Sequence, residues 1–197
     1  GWDVDRQVEV RIKAGRPIPF VDIRIVDAEM RDVPQDGATP GEIVARAPWL
    51  TQGYLRDPAN SDKLWLGGWL HTGDIGVIGA DGYLKITDRL KDVIKTGGEW
   101  VSSIDIEDLI LKHPGICEAA VIGIPDPKWT ERPLAVVVAK EGCAVSDCDI
   151  KAGLQDYACK GVISRYAVPD QIVFVSALPR TSVGKLDKKL LREQFRQ

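Results

Sequence analysis

Residues 87–106, TDRLKDVIKTGGEWVSSIDI, constrain the folding of this chain more than any other stretch. Gly97 and Gly98 carry no Cβ, so the backbone can turn sharply there and come close to another molecule. Arg89, Lys91 and Lys95 precede the pair, and an apolar helical pattern follows it. Two readings fit: cations before a glycine turn suit an anionic ligand, and the same residues suit a twisted hairpin with a solvated charged face.

The pattern differs on either side of this stretch. Upstream, Val21, Ile23 and Ile25 alternate with polar residues, and Gly41–Arg46 forms a second short run, with DGATPG turn chemistry between them. Strands are predicted at 69–72, 75–78 and 83–87, with Asp81-Gly82 as a hairpin turn. Downstream, Ser102 or Ser103 can cap a helix whose inward stripe is Ile106, Leu109 and Ile110, ending near His113. Strands are predicted at 116–124, 134–139 and 172–175, and an amphipathic helix from 147 to about 160. A final helix is marked by Leu186, Leu190 and Phe195, with Lys and Arg on its outer side. The predicted class is α+β. An antiparallel β subdomain over residues 1–89 precedes a small mixed α+β domain over 90–197, and the boundary falls between Arg89 and Lys91.

Composition excludes some functions. A net charge of -3 argues against non-specific nucleic-acid binding, which needs a basic face. The longest apolar strings, such as 134–139, are too short to span a bilayer, and Gly1-Trp2-Asp3-Val4-Asp5 does not read as a signal peptide; a cytoplasmic enzyme is expected. Cys117, Cys143, Cys148 and Cys159 form no CxxC pair and have only His71 and His113 to join them, so reduced thiols and no metal site are expected.

Two distant segments add to the opening stretch: GGWLHTGD at 67–74 and PRTSVGKLDKKLLR at 179–192. An aspartate in HTGD can accept two hydrogen bonds from a vicinal diol, or can close its own backbone in an Asx turn. The Arg89 fork suits ribose and phosphate oxygens, or a surface pair with Asp88 or Asp92. PRTSVGK is not a phosphate-binding P-loop, because Pro179 stands where that motif needs its first glycine. Lys185 taken alone reads as a mobile surface lysine.

In this order the three segments resemble the later motifs of the adenylate-forming, AMP-binding family. That family includes acyl-CoA synthetases, aryl-CoA ligases, luciferases and peptide-synthetase adenylation domains. The resemblance covers nearly the whole chain, and the GGEW wording is most similar to medium- and long-chain fatty acyl-CoA synthetases. It implies that Asp74 and Arg89 contact the nucleotide and that Lys91 is the hinge of a mobile C-terminal domain. It also implies that Gly97, Gly98, Glu99 and Trp100, with Lys95, serve the CoA step. Trp100 also reads as a core aromatic, and Lys95 as a solvated cation.

Lys185 is expected to bridge the substrate carboxylate and the α-phosphate of ATP. A flexible ammonium charge suits that task, since negative charge builds on both groups. ATP, CoA and a fatty or other carboxylic acid are the implied substrates. Mg2+ is the implied metal, with its ligand expected in the family's N-terminal large domain, outside this stretch. His71 stands where many relatives carry arginine, and Thr130, in PDPKWTERP, where glycine is usual. The resemblance implies that this chain is nearly inactive alone, because the phosphate loop and the acyl pocket find no counterpart here. A stand-alone lid that binds without turnover, and an enzyme passing the acyl group to a carrier protein, are the rival readings.

Overall fold

The computed structural model describes residues 3–195, so the expectation for Gly1 and Trp2 lies outside the described residues. The chain divides into two compact units, Gly1–Lys91 and Asp92–Gln197.

The first unit is built on an antiparallel sheet in the order β1-β2-β3-β4, from Asp22–Val26 (β1), Gly41–Arg46 (β2), Leu70–Ile78 (β3) and Leu84–Arg89 (β4). Ile25, Ile43, Ile78 and Leu84 form its buried cluster, with Ile23 packed against them, as the alternation in β1 requires. The DGATPG turn is fastened by Asp36, whose carboxylate accepts from Ala38 N, Thr39 N and Thr39 Oγ1. The β3–β4 hairpin turns through Asp81-Gly82, where Gly82 has φ +75° and Tyr83 N–H bonds Asp81 Oδ1.

Three features depart from the sequence expectation. The strands expected at 69–72 and 75–78 are one strand that begins at Leu70, so HTGD is not a turn between strands. Gly73 (φ +71°) and a register shift between Ile75 and Gly76 absorb the irregularity inside β3. Thr72 bridges the break: its hydroxyl donates to Ile43 O at 2.7 Å and accepts from Asp74 N–H at 3.1 Å. Two helices went unread, Val4–Arg11 (α1, capped by Asp3) and Pro58–Leu64 (α2, capped by Asp57). Neither buries a residue, so neither leaves an apolar stripe in the sequence.

The second unit has the order β6-β5-β8-β7, from Ile94–Thr96 (β5), Glu99–Val101 (β6), Ile116–Asp126 (β7) and Thr130–Ala139 (β8). Gln171–Phe174 (β9) pairs parallel to β8. Alternate residues of β7 and β8 point to opposite faces, and each face is covered. On one, Val121, Ala135 and Val137 meet Ile106, Leu109 and Ile110 of Ser103–Leu111 (α3) and Ile150 and Leu154 of Asp147–Cys159 (α4). On the other, Ala120, Ile122, Leu134 and Val136 meet Leu191 of Lys188–Phe195 (α5). Ser102 caps α3 through Asp105 N–H, and Ser146 opens α4 with a full capping box.

The α+β class expected from the sequence is the class observed. The last helix differs in detail. Leu191, not Leu190, is its buried residue, and Leu186 precedes the helix in a bridge with Arg180. Its basic residues are not all outward, since Lys188 and Arg192 form ion pairs with Glu107 and Asp92. β7 and β8 also extend into PDPKWTERP, where Thr130 takes φ +72°, a region a β-branched residue rarely enters.

Candidate functional site

Asp74 and Arg89 are brought together by strand register. They are partners across β3 and β4, with Arg89 Nε 3.9 Å from Asp74 Oδ1 and both side chains substantially exposed. The Asx turn that Asp74 could have formed is replaced by the Thr72 hydroxyl bond, which leaves its carboxylate turned to Arg89. Asp88 accepts the backbone N–H of Arg89 at 2.7 Å, and in the second unit Asp92 takes Arg192 at 2.7 Å. Leu90 N–H bonds Gly73 O at 2.8 Å, tying the end of β4 to the backbone beside Asp74.

His71 lies three residues before Asp74. Its Nδ1 is 2.9 Å from Glu42 Oε2 and its Nε2 3.1 Å from Leu66 O. Both partners offer oxygen acceptors, so the ring bridges β2 to the segment before β3 and holds the approach to HTGD. His71, Thr72, Gly73 and Leu90, with Tyr54 and Lys63, line a cavity of about 590 Å³ within the first unit. Lys91, the expected hinge residue, is exposed in the turn after β4 and is the last residue of that unit.

The five residues expected at the CoA step share one hairpin. Gly97 (φ +58°) and Gly98 (φ +84°) are its turn between β5 and β6, both in the left-handed region that glycine alone enters freely. The two readings of this stretch are therefore compatible, since it is a charged hairpin whose turn is bare backbone. The glycines differ in surroundings. A Cβ on Gly97 would stand 3.2 Å from the Trp129 ring, whereas one on Gly98 would meet nothing within 4 Å.

Gly97 N–H bonds Trp129 O at 3.1 Å, and Trp129 packs on Tyr166 with ring centroids 5.4 Å apart. Glu99 Oε2 accepts from Ser164 Oγ at 2.6 Å, which fixes the β6 side of the turn. Trp100 is half-buried and belongs to no buried cluster. It is the cross-strand partner of Lys95, whose Nζ lies 5.6 Å from the ring centroid.

Lys185 closes a separate tight loop. Thr181 N–H bonds Lys185 O at 2.7 Å, Gly184 N–H bonds Thr181 O at 2.8 Å with φ +79° at Gly184, and Lys185 N–H bonds Thr181 Oγ1 at 3.2 Å. Arg180 reaches from the loop to Glu118 at 2.7 Å and to Gly184 O at 3.1 Å. The backbone is thus fastened while the Lys185 side chain is exposed and has no hydrogen-bond or ion-pair partner among the described residues. Residues 165–169, RYAVP, are anchored to β8. Arg132 forms a two-pronged pair with Asp170 and donates to Tyr166 O and Val168 O, and the pairing holds the Asp170 carboxyl below its usual range.

Glu42, Glu107 and Lys188 escaped the sequence reading because their partners lie far away in sequence. The four cysteines are free and exposed, and among the described residues no three His, Cys, Asp or Glu side chains converge to hold a metal. No helix among the described residues is long and apolar enough to cross a membrane.

The first unit thus carries an exposed Asp–Arg pair, and the second a bare glycine hairpin and a loop presenting a lysine, the segments by which the sequence resembles the adenylate-forming enzymes. The chain belongs to this AMP-binding family: residues 105–185 match the AMP-binding enzyme C-terminal domain, and residues 2–55 match AMP-binding enzyme. It is 43% identical to a long-chain-fatty-acid–CoA ligase of Thermus thermophilus over 98% of this chain and 35% of that protein.

Among solved structures, it is similar to the amide bond synthetase McbA from Marinactinospora thermotolerans, with TM-score 0.81 and 35% identity over 96% of this chain and 37% of that one. It is also similar to ATP-bound MatB from Rhodopseudomonas palustris, with TM-score 0.81 and 32% identity over 94% of this chain and 36% of that one. The chain therefore spans about a third of the length of the relatives it matches.

Proposed function

We propose that this chain serves an ATP-dependent, AMP-forming acid–CoA ligase acting on a fatty acid. A carboxylate oxygen attacks the α-phosphorus of ATP, pyrophosphate leaves, and acyl-AMP forms. The CoA thiolate then attacks the acyl carbonyl carbon and AMP leaves. The observation that carries the reading is Lys185, an exposed ammonium without a partner among the described residues, on a loop pinned by hydrogen bonds between Thr181 and both Gly184 and Lys185. Such a cation is free to neutralise charge on the carboxylate and the α-phosphate as they approach.

Asp74 holds the ribose diol and Arg89 a ribose or phosphate oxygen. Residues 1–89 act as the last β subdomain of a large domain and 90–197 as a small mobile domain. Turning about Lys91 withdraws Lys185 and brings forward the Gly97-Gly98 hairpin, where Lys95, Glu99 and Trp100 attend the CoA arm. One small domain serves both steps if its two orientations lie close in free energy, so that the bound substrate selects between them. Mg2+ would supply further charge neutralisation on the phosphates. The described residues show no three-ligand cluster fitted to it.

The fatty-acid substrate rests on the likeness to the Thermus ligase, and a cytoplasmic location is part of the proposal. A second reading, transfer to an amine, is favoured by the likeness to an amide bond synthetase. The test is fatty-acid-dependent exchange of labelled pyrophosphate into ATP, by this chain alone and by the full-length protein, followed by acyl transfer to CoA, an amine or a carrier-protein arm. Exchange in the full-length protein, lost with Lys185→Ala and absent from the chain alone, is the expected result. Exchange that survives Lys185→Ala contradicts it, and exchange by the chain alone would mean that the whole adenylation site lies within these residues.

A further inference from the structure

Lys188, three residues beyond Lys185, is unusually enclosed for a lysine. Its side chain is 12% exposed and that of Glu107 13%, with Lys188 Nζ 2.6 Å from Glu107 Oε1. The same ammonium donates to Ser103 Oγ at 2.7 Å, and Ser103 is fully buried. Glu107 Oε1 also accepts the N–H of Val121 at 2.7 Å, on β7, the last strand in the sheet order. A strand in that position leaves one row of backbone groups without sheet partners, and Glu107 satisfies one of them. Because α3 packs on one face of the sheet and α5 on the other, the Lys188–Glu107 pair joins the two layers at the β7 edge.

Helix stability does not explain this placement. Lys188 is the first residue of α5, where positive charge opposes the helix dipole, and the first turn of α5 holds no acidic residue. Enclosed ion pairs are also weak stabilisers, because the desolvation of two charges offsets most of their attraction. What the pair fixes is a position. Asp187 N–H bonds Pro179 O at 2.9 Å, which closes the loop at the point where α5 begins. The other anchor of the loop, Arg180–Glu118, has side chains 52% and 36% exposed, so it competes with water while the Lys188 anchor does not.

Resting on the role proposed for Lys185, we infer that Lys188 is a positioning residue: held by Glu107 and Ser103, it sets where the Lys185 loop leaves the domain and so where the Lys185 ammonium is delivered. It touches no substrate. Its loss impairs acyl-adenylate formation, which needs Lys185, and spares thioester formation from acyl-AMP, which does not.

The experiment uses the full-length protein with Lys188→Met, Lys188→Arg, Lys185→Ala, and the double variant Lys188→Met with Glu107→Gln. The double variant removes both enclosed charges and keeps an acceptor for Val121. Pyrophosphate exchange, CoA thioester formation from supplied acyl-AMP and the thermal midpoint are read for each. Expected is a fall of roughly 10- to 100-fold in exchange for Lys188→Met and the double variant, with thioester formation within about twofold of the parent, as for a displaced catalytic group. Lys188→Arg is expected to recover part of the exchange.

The inference is overturned if both half-reactions fall together with the thermal midpoint in the single and double variants, which marks a structural role alone. It is equally overturned if exchange is unchanged in them while Lys185→Ala abolishes it. Should Lys185→Ala itself leave exchange intact, the proposed role of Lys185 fails and this inference falls with it.

Discussion

Arg89 Nε stands 3.9 Å from Asp74 Oδ1 across two adjacent strands, and the two side chains are 59% and 37% exposed. A pair so wet contributes about 0 to 1 kcal/mol to stability, so removing either side chain should cost the fold little. Asp74→Ala and Arg89→Leu in the full-length protein are expected to raise the KM for ATP about tenfold or more, through loss of charge-assisted hydrogen bonds, while shifting the unfolding free energy by less than about 1 kcal/mol. Steady-state kinetics beside urea denaturation read both; an unchanged KM would remove the pair from the nucleotide site.

Gly98 and Gly97 are expected to part company on substitution. Gly98→Leu meets open space and costs only the strain of a left-handed backbone, about 1 kcal/mol, yet it places a side chain on the turn assigned to the CoA arm. Adenylation should persist and thioester formation fall. Gly97→Leu adds a clash with the Trp129 ring and should lower the thermal midpoint further. Equal loss of both half-reactions in Gly98→Leu would argue against a CoA-side role.

Thr130 is strained where it stands. Glycine relieves a φ of +72° at this β-branched position, with part of the gain returned as extra unfolded-state freedom. Thr130→Gly is expected to stabilise the protein by up to about 1 kcal/mol. A calorimetric midpoint lower than the parent's would show that packing by the threonine outweighs the strain.

Asp36 supplies a pH dependence. Backbone N–H bonds from Thr39 and Ala38, with the Thr39 hydroxyl, lower its carboxyl from 3.8 to about 2. A carboxyl depressed on folding contributes stability that is fully present above its unfolded pKa and disappears as pH falls through the folded one. Asp36→Ala should therefore lower the thermal midpoint at neutral pH, and the gap to the parent should close between pH 3.8 and about 2. A gap of constant size down to pH 2 would assign the effect to turn geometry and not to charge.

Legibility in the sequence followed the range of the interactions. The α3 stripe of Ile106, Leu109 and Ile110 and the alternation in β1 were readable because burial imposes its period on neighbouring residues. α1 and α2 were not, since they bury nothing and rest on the Asp3 and Asp57 caps. HTGD looked like a turn because Gly73 has turn chemistry, but Thr72 carries the strand through by bonding Ile43 on its neighbour. The site motifs stood out by wording and order. Their supports, Glu42 for His71 and Glu107 for Lys188, come from elements far away in the chain. A lysine in a basic helix gives no sign from sequence alone that a carboxylate waits for it.

The separation of Ser103 from Lys188, 85 positions, also has a consequence during synthesis. At ribosomal speeds that interval lasts roughly 4 to 17 seconds. In its later part, once β8 has been made, α3 and the β7–β8 hairpin can assemble before Lys188 reaches Glu107. The lysine assigned to the chemistry emerges just before its anchor, so a chain arrested in that window holds most of a domain without the piece that would aim Lys185.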